Sequence, residues 1–138
     1  MKIVVIDGQG GSIGKAVVEQ LKKHLPEYEV TAIGTNSIAT SNMLRAGADN
    51  AATGENPVVI ACRDADVIVG PIGIVQADSL LGEITPRMAL AVSECGAKKV
   101  LIPISKCRIS VVGTHSMGLT DYIKLVPDEV RAAIAARD

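Results

Sequence analysis

The stretch VVIDGQGGSIGKAVVEQL, from Val4 to Leu21, constrains this chain more than any other. An apolar run that ends in an acid is how a strand buried on both faces of a parallel sheet reads. It meets a cluster of glycines, and apolar residues then recur at three to four positions: Ile13, Val17, Val18, Leu21 and Leu25. That spacing marks one face of a helix, which Pro26 ends. A strand that passes through a glycine turn straight into a helix opens a βαβ unit, and such units commit a chain to a parallel sheet with right-handed crossovers.

The rest of the chain keeps the alternation. EVTAIG (29–34) predicts a second strand, and SIATSNMLRAGAD (37–49) a helix with Met43 and Leu44 facing inward and Gly47 as its stop. A short strand is expected at 48–52. ENPVVIACRD (55–64) carries a helix-start signal, Asn56 as N-cap and Pro57 at the first helical position. ADVIVGPIG (65–73) predicts a fourth strand that runs into a second glycine turn. Thr85 and Pro86 repeat the start signal for a helix ending at Gly96, with Met88, Ala91, Val92 and Cys95 on one face. KKVLIPI (98–104) predicts a fifth strand, RISVVG (108–113) offers a sixth, and VPDEVRAAIAARD predicts a closing helix with Asp128 and Glu129 in its first turn. The expected fold class is therefore α/β: a Rossmann-like, doubly wound, mainly parallel sheet of five to six strands in three layers. Residues 1–138 are expected to form a single nucleotide-binding domain.

Ligands of such sheets bind at the carboxyl ends of strands, where the strand order reverses. The turn Gly8-Gln9-Gly10-Gly11-Ser12-Ile13-Gly14 has the spacing G-x-G-x-x-x-G, one residue longer than the simplest dinucleotide fingerprint. Gly8 allows a tight exit from the strand, Gly10 and Gly11 a close backbone approach, and Gly14 close packing of helix on strand. Unpaired N–H groups at the helix start favour a phosphate there. The competing reading is a turn that is merely tight. Asp7 either caps the loop's own N–H groups or holds a cation or ligand hydroxyls.

The second strand of an NAD site ends in Asp or Glu, which holds the ribose. Here it ends in Gly34-Thr35-Asn36-Ser37, with neutral hydrogen-bonding groups and no adjacent arginine. NADP or NAD is the expected cofactor, with a lean to NADP. If the strand order is 3-2-1-4-5, the second turn, Gly70-Pro71-Ile72-Gly73, faces the first across one crevice.

Candidate chemistry is sparse. Cys107 stands between Lys106 and Arg108, which would lower a thiol pKa. His115 sits in Gly113-Thr114-His115-Ser116 as a potential acid or base. Each has a bland alternative, a small buried hydrophobe for the cysteine and a solvated loop residue for the histidine. Asp78 and Glu83 follow the second turn and either reach the crevice or cap the next helix. No tyrosine is followed by lysine four residues on, since Ala32 follows Tyr28 and Val126 follows Tyr122 at that distance. A short-chain dehydrogenase mechanism is thereby excluded.

Composition narrows the partners. Lys plus Arg number 14 against 15 Asp plus Glu, Phe and Trp are absent, and Tyr occurs twice. A nucleic-acid partner wants a basic surface or stacking aromatics, and neither is present. No apolar run approaches the ~18 residues of a membrane span. Three cysteines at irregular spacing, Cys62, Cys95 and Cys107, argue for reduced thiols in the cytoplasm.

The stretches IDGQGGSIGKA, GTNSIATSNMLRAGADNAATGEN, VIVGPIGI, LLGEITPRMA and VLIPISKC together resemble a set of short, uncharacterised bacterial proteins. They are grouped as a domain of unknown function and found largely in anaerobes. The resemblance covers nearly the whole chain. It implies a Rossmann-type nucleotide binder, with Gly8, Gly10, Gly11 and Gly14 as the phosphate turn, and it assigns no activity.

The leading functional reading is a cytoplasmic binding or sensing module for a nucleotide, because no complete catalytic set is visible. One alternative is a small oxidoreductase or transferase that completes its site across a homo-oligomer, most simply a dimer joined through its C-terminal third. The other is an interaction protein whose glycine turns are structural.

Overall fold

A computed structural model describes residues 1–104, 108–114 and 117–137. Five strands form one parallel sheet: β1 (Lys2–Asp7), β2 (Glu29–Gly34), β3 (Asn50–Thr53), β4 (Val67–Pro71) and β5 (Lys98–Ile102). Their order is β3-β2-β1-β4-β5, and every pairing is parallel. The order reverses between β1 and β4, where Val5 sits opposite Val69. The Rossmann-like, doubly wound architecture is thus observed with five strands. The expected sixth strand is not formed: the described residues 108–114 run without regular structure beyond the edge strand β5.

The helices are α1 (Ser12–His24), α2 (Ser37–Arg45), α3 (Glu55–Cys62), α4 (Pro86–Glu94) and α5 (Leu119–Ala135). A short 3-10 turn, Ile72–Val75, follows β4. Alternation along β1 explains the layering. Ile3 and Val5 join Val17, Leu21, Met43 and Val130 in a core under α1, α2 and α5. Val4 and Ile6 point the other way, into a core with Val58, Ile84, Met88 and Val92 under α3 and α4. With no Phe or Trp available, both cores are filled by aliphatic side chains and methionine.

Two helix boundaries and one helix face depart from the sequence expectation. Glycine, not Asn56, occupies the N-cap of α3: Gly54 lies there at φ +108°, a left-handed value that suits glycine. Leu44 of α2 is exposed while Met43 is buried. The closing helix begins at Leu119, seven residues before Val126, and runs through Pro127. Proline removes an intrahelical donor at a cost of about 3 kcal/mol. Burial of Ile123, Val126, Val130 and Ile134 on one face of α5 offsets it, at roughly 1.5–3 kcal/mol per large side chain. That apolar face covers the chain's own α1 side, so Val130 and Ile134 are not free for a partner. Among the described residues, no helix is long and apolar enough to cross a membrane.

Candidate functional site

A cleft of about 1010 Å³ opens at the carboxyl ends of β1, β4 and β5. Its floor is the glycine turn: Asp7, Gly8, Gln9, Gly10, Gly11, Ser12 and Ile13 all line it. Pro71 lines it from β4, and Leu80 and Leu81 come from the following loop. The far wall is Pro103, Ile104, Arg108 and Ile109, then Thr114, Leu119 and Tyr122. The Tyr122 hydroxyl donates to the Thr114 carbonyl, which ties this wall to α5.

The glycines of the turn divide by what surrounds them. A Cβ on Gly10 would meet nothing within 4 Å, so this glycine faces open space. Gly11 is different: it sits at φ +71°, and its Cβ would come within 2.6 Å of Ala39 Cα in α2. A Cβ on Gly14 would lie 2.5 Å from Met43 Sδ and 2.8 Å from Asp7 Cβ. Gly8 is covered in the same way by Thr35 and Leu80. Gly11 and Gly14 therefore serve helix–helix and helix–strand contact, and Gly10 alone leaves room over the backbone of the turn.

Asp7 is 4% exposed. Its Oδ1 accepts from the Gly8 N–H at 2.8 Å and its Oδ2 from the Gly14 N–H at 2.7 Å. Of its two readings, the capping one describes these contacts. Burial pushes its carboxyl above the ordinary value, against those two N–H donors, and the nearby Glu83 charge adds to the rise.

Glu83 reaches further than a helix cap. Its carboxylate accepts from the Gln9 N–H at 3.1 Å, from Thr35 Oγ1 at 2.7 Å and from Asn36 Nδ2 at 2.7 Å. Burial opposes its ionisation, but these three donors prevail and hold its pKa below the ordinary carboxylate value. The chain thus supplies, from the loop after β4, the acid that the end of β2 lacks. Asn36 and Asn42 act beside it. Their amide groups donate to the Gln9 carbonyl at 2.9 Å and the Gly10 carbonyl at 2.7 Å. A trans peptide points N–H and C=O in opposite directions, so holding the Gln9 carbonyl against α2 turns the Gly10 N–H away from α2. Among the described residues, the N–H groups of Gly10, Ser12 and Ile13 have no protein acceptor.

Other expected site residues fall apart spatially. Gly34, Thr35, Asn36 and Ser37 lie behind the Glu83 contact, outside the cleft lining. Gly70 is buried, and a Cβ there would meet the Ile6 carbonyl oxygen at 2.5 Å. Ile72 and Gly73 belong to the 3-10 turn, where the Gly73 carbonyl accepts from Ser79. Cys107 and His115 lie outside the described residues. Sequence reasoning missed Asn42 and underrated Glu83, whose partners lie 47, 48 and 74 positions away. Only the missing acid at β2 hinted that one would come from elsewhere.

The Glu83 contact makes a pH prediction. A carboxyl with a lowered folded pKa contributes stability above its unfolded value, and that contribution is lost as pH falls through the folded value. Asp7, with a raised value, contributes in the opposite sense, favouring the fold at low pH. The stability difference between wild type and Glu83→Gln should be constant at neutral pH and shrink below the ordinary value of 4.5. Urea titrations of both proteins from pH 7 to about pH 3 check this, and a pH-independent difference would count against the contact.

No curated protein matches the chain. Among solved structures, a crystal structure of a dodecameric FMN-dependent UbiX-like decarboxylase from Escherichia coli O157:H7 is similar to it. The two share 20% identity at a TM-score of 0.49, over 99% of this chain and 75% of that one. The expectation of NADP or NAD is corrected within this chain: Glu83 already occupies the end of β2 where a dinucleotide's ribose would be held. A family model described as a domain of unknown function (DUF3842) matches residues 2–135, and the chain belongs to that family.

Proposed function

We propose that this chain, as one domain over residues 1–138, binds a phosphate-bearing ligand of mononucleotide size. Its phosphate lies on the Gly10–Ile13 turn and its body along the apolar wall of the cleft. One observation carries the reading. The side of the turn facing β2 is closed by Glu83, while three N–H groups at the start of α1 remain without acceptors on the cleft side. Such a helix start is a ready anion site, and Arg108 lines the same cleft without a carboxylate partner among the described residues. FMN suits these demands: one phosphate, and a broad ring for Leu80, Ile104 and Leu119 to cover.

The alternative of a site completed by another copy of the chain has its own support. Leu81 is 97% exposed and Val112 95%, both beside the cleft, and Val111, Met117 and Leu119 are exposed nearby. Apolar side chains bared around a pocket mark an association surface, and closed homo-oligomers are the commonest soluble assemblies. We therefore infer a site at a homo-oligomer interface, with residues 108–114 and 117–119 and Leu81 facing the partner copy. A small oxidoreductase or transferase fits such a shared site better than a monomeric sensor. The irregularly spaced cysteines support a reducing compartment, the cytoplasm.

Calorimetry with FMN, ATP and inorganic phosphate tests the ligand. FMN is expected to bind wild type at micromolar Kd and to lose at least about tenfold in affinity, about 1.4 kcal/mol, in Gly10→Val. Absence of heat with all three ligands would end the reading. For assembly, light scattering should report a multiple of the 14.3 kDa chain. Val112→Asp and Leu81→Asp should return it towards the monomer; a wild-type monomer with and without FMN would remove the shared site.

A further inference from the structure

Two cysteines line one groove at the opposite end of the sheet from the cleft. Cys62 is the last residue of α3 and Cys95 is the C-cap of α4. Both helices run against the strand direction, so their C-termini lie together at the amino ends of the strands. The two residues line one groove of about 400 Å³, with Arg63, Arg87, Leu90 and Glu94 around them. Neither is bridged.

Their environments differ in a way that assigns roles. Cys62 is 4% exposed, whereas Cys95 is half-buried and reachable from the groove. Burial pushes the Cys62 thiol up to about 12, and Cys95, which lies against it within hydrogen-bonding reach, adds to the rise. Cys62 is therefore a protonated, shielded thiol. The Cys95 Sγ donates to the Val92 carbonyl at 3.3 Å, and Lys99 Nζ caps the Cys95 carbonyl at 2.6 Å. Arg63 and Arg87 line the groove against the single carboxylate of Glu94, and that excess of positive charge attracts an acidic reactant.

We propose that Cys62 and Cys95 form a thiol–disulfide exchange site that accepts a small, carboxylate-bearing disulfide through this groove. Cys95 gives up its proton to solvent, and its sulfur attacks one sulfur of the incoming disulfide. A Cys95 mixed disulfide forms and one small thiolate leaves. Cys62 then gives up its proton and attacks Cys95 Sγ, forming the Cys62–Cys95 bond and expelling the second small thiolate. In sum, two protein thiols and one small disulfide become one protein disulfide and two small thiols. The oxidant is the small disulfide itself.

The proposal is independent of the ligand cleft, and its test reads thiols only. Reduced protein carrying Cys107→Ser, so that the third thiol takes no part, is incubated with oxidised glutathione under anaerobic conditions. Free thiols are then blocked and tryptic peptides mapped. The expected result is loss of two hydrogens and a cross-link between peptides 46–63 and 88–98. Adding Cys62→Ser should trap a stable glutathione adduct on Cys95, while adding Cys95→Ser should leave Cys62 at least about tenfold less modified than Cys95. Failure to recover the cross-link from the Cys107→Ser protein overturns the proposal. So does glutathionylation of Cys62 at an undiminished rate when Cys95 is absent.

Discussion

Gly14→Val is expected to destabilise the protein by about 3 kcal/mol, while Gly10→Val stays within about 0.5 kcal/mol of wild type. The two residues are four apart in one turn, so the contrast isolates their surroundings. At Gly14 a new Cβ would press on Met43 Sδ and on Asp7 Cβ. Methionine yields easily, but Asp7 Cβ is fixed to a central strand whose carboxylate is already committed to two N–H groups. Valine also brings two branches into that space, and interiors packed to crystal-like density resist even one extra methylene. At Gly10 nothing stands within 4 Å, and its φ is not left-handed. Urea unfolding of both variants decides the matter. Equal midpoints would mean that α1 does not pack on β1 and α2 as closely as described.

The second large effect is expected at Asp7. Asp7→Ala removes the acceptor of both the Gly8 and the Gly14 N–H in a buried place. Each orphaned donor costs about 1–3 kcal/mol, so a total near 4 kcal/mol is expected, against a whole-domain stability of about 5–15 kcal/mol. Asp7→Asn keeps one acceptor and turns an amide N–H towards the other donor, so it should fall between wild type and alanine. Denaturation midpoints in the order wild type, Asn, Ala check this. An alanine variant as stable as wild type would show that the carboxylate is dispensable to the loop.

Much of this architecture was legible because its signals are local. The apolar run 2–7 and the run 29–34 became β1 and β2 at those bounds, since short runs rich in β-branched residues that end at a glycine turn read as buried strands. Thr85 caps α4 by accepting from the Met88 N–H, with Pro86 at its start, as the pair of residues suggested. The failures share a different cause. The pattern VPDEVRAAIAARD predicts a closing helix with Asp128 and Glu129 in its first turn, yet burial of four apolar residues on either side of Pro127 carries the helix back to Leu119. Asn56 lost its capping role to Gly54, and RISVVG stayed out of the sheet although its residues suit a strand. Glu83 was legible only as an acid near a turn. What it binds depends on the β1–β4 switch bringing residues 9, 35, 36 and 83 together, which no window of sequence displays.

The central place of β1 has a consequence for synthesis. Its register with β2 joins residues 27 positions apart, and its register with β4 joins Val5 to Val69. While the chain lengthens on the ribosome, β1 and β2 can pair early, but the other edge of β1 stays bare until β4 has emerged. That edge belongs to a strand with Ile3, Val4, Val5 and Ile6 in a row, the composition most prone to pair with a neighbouring chain. The core under α1 waits longer still, because α5, which supplies Ile123, Val126, Val130 and Ile134, is made after every strand. Nascent chains stalled before residue 67 should therefore need holding by chaperones, and release from that need should come in two steps, at β4 and at α5.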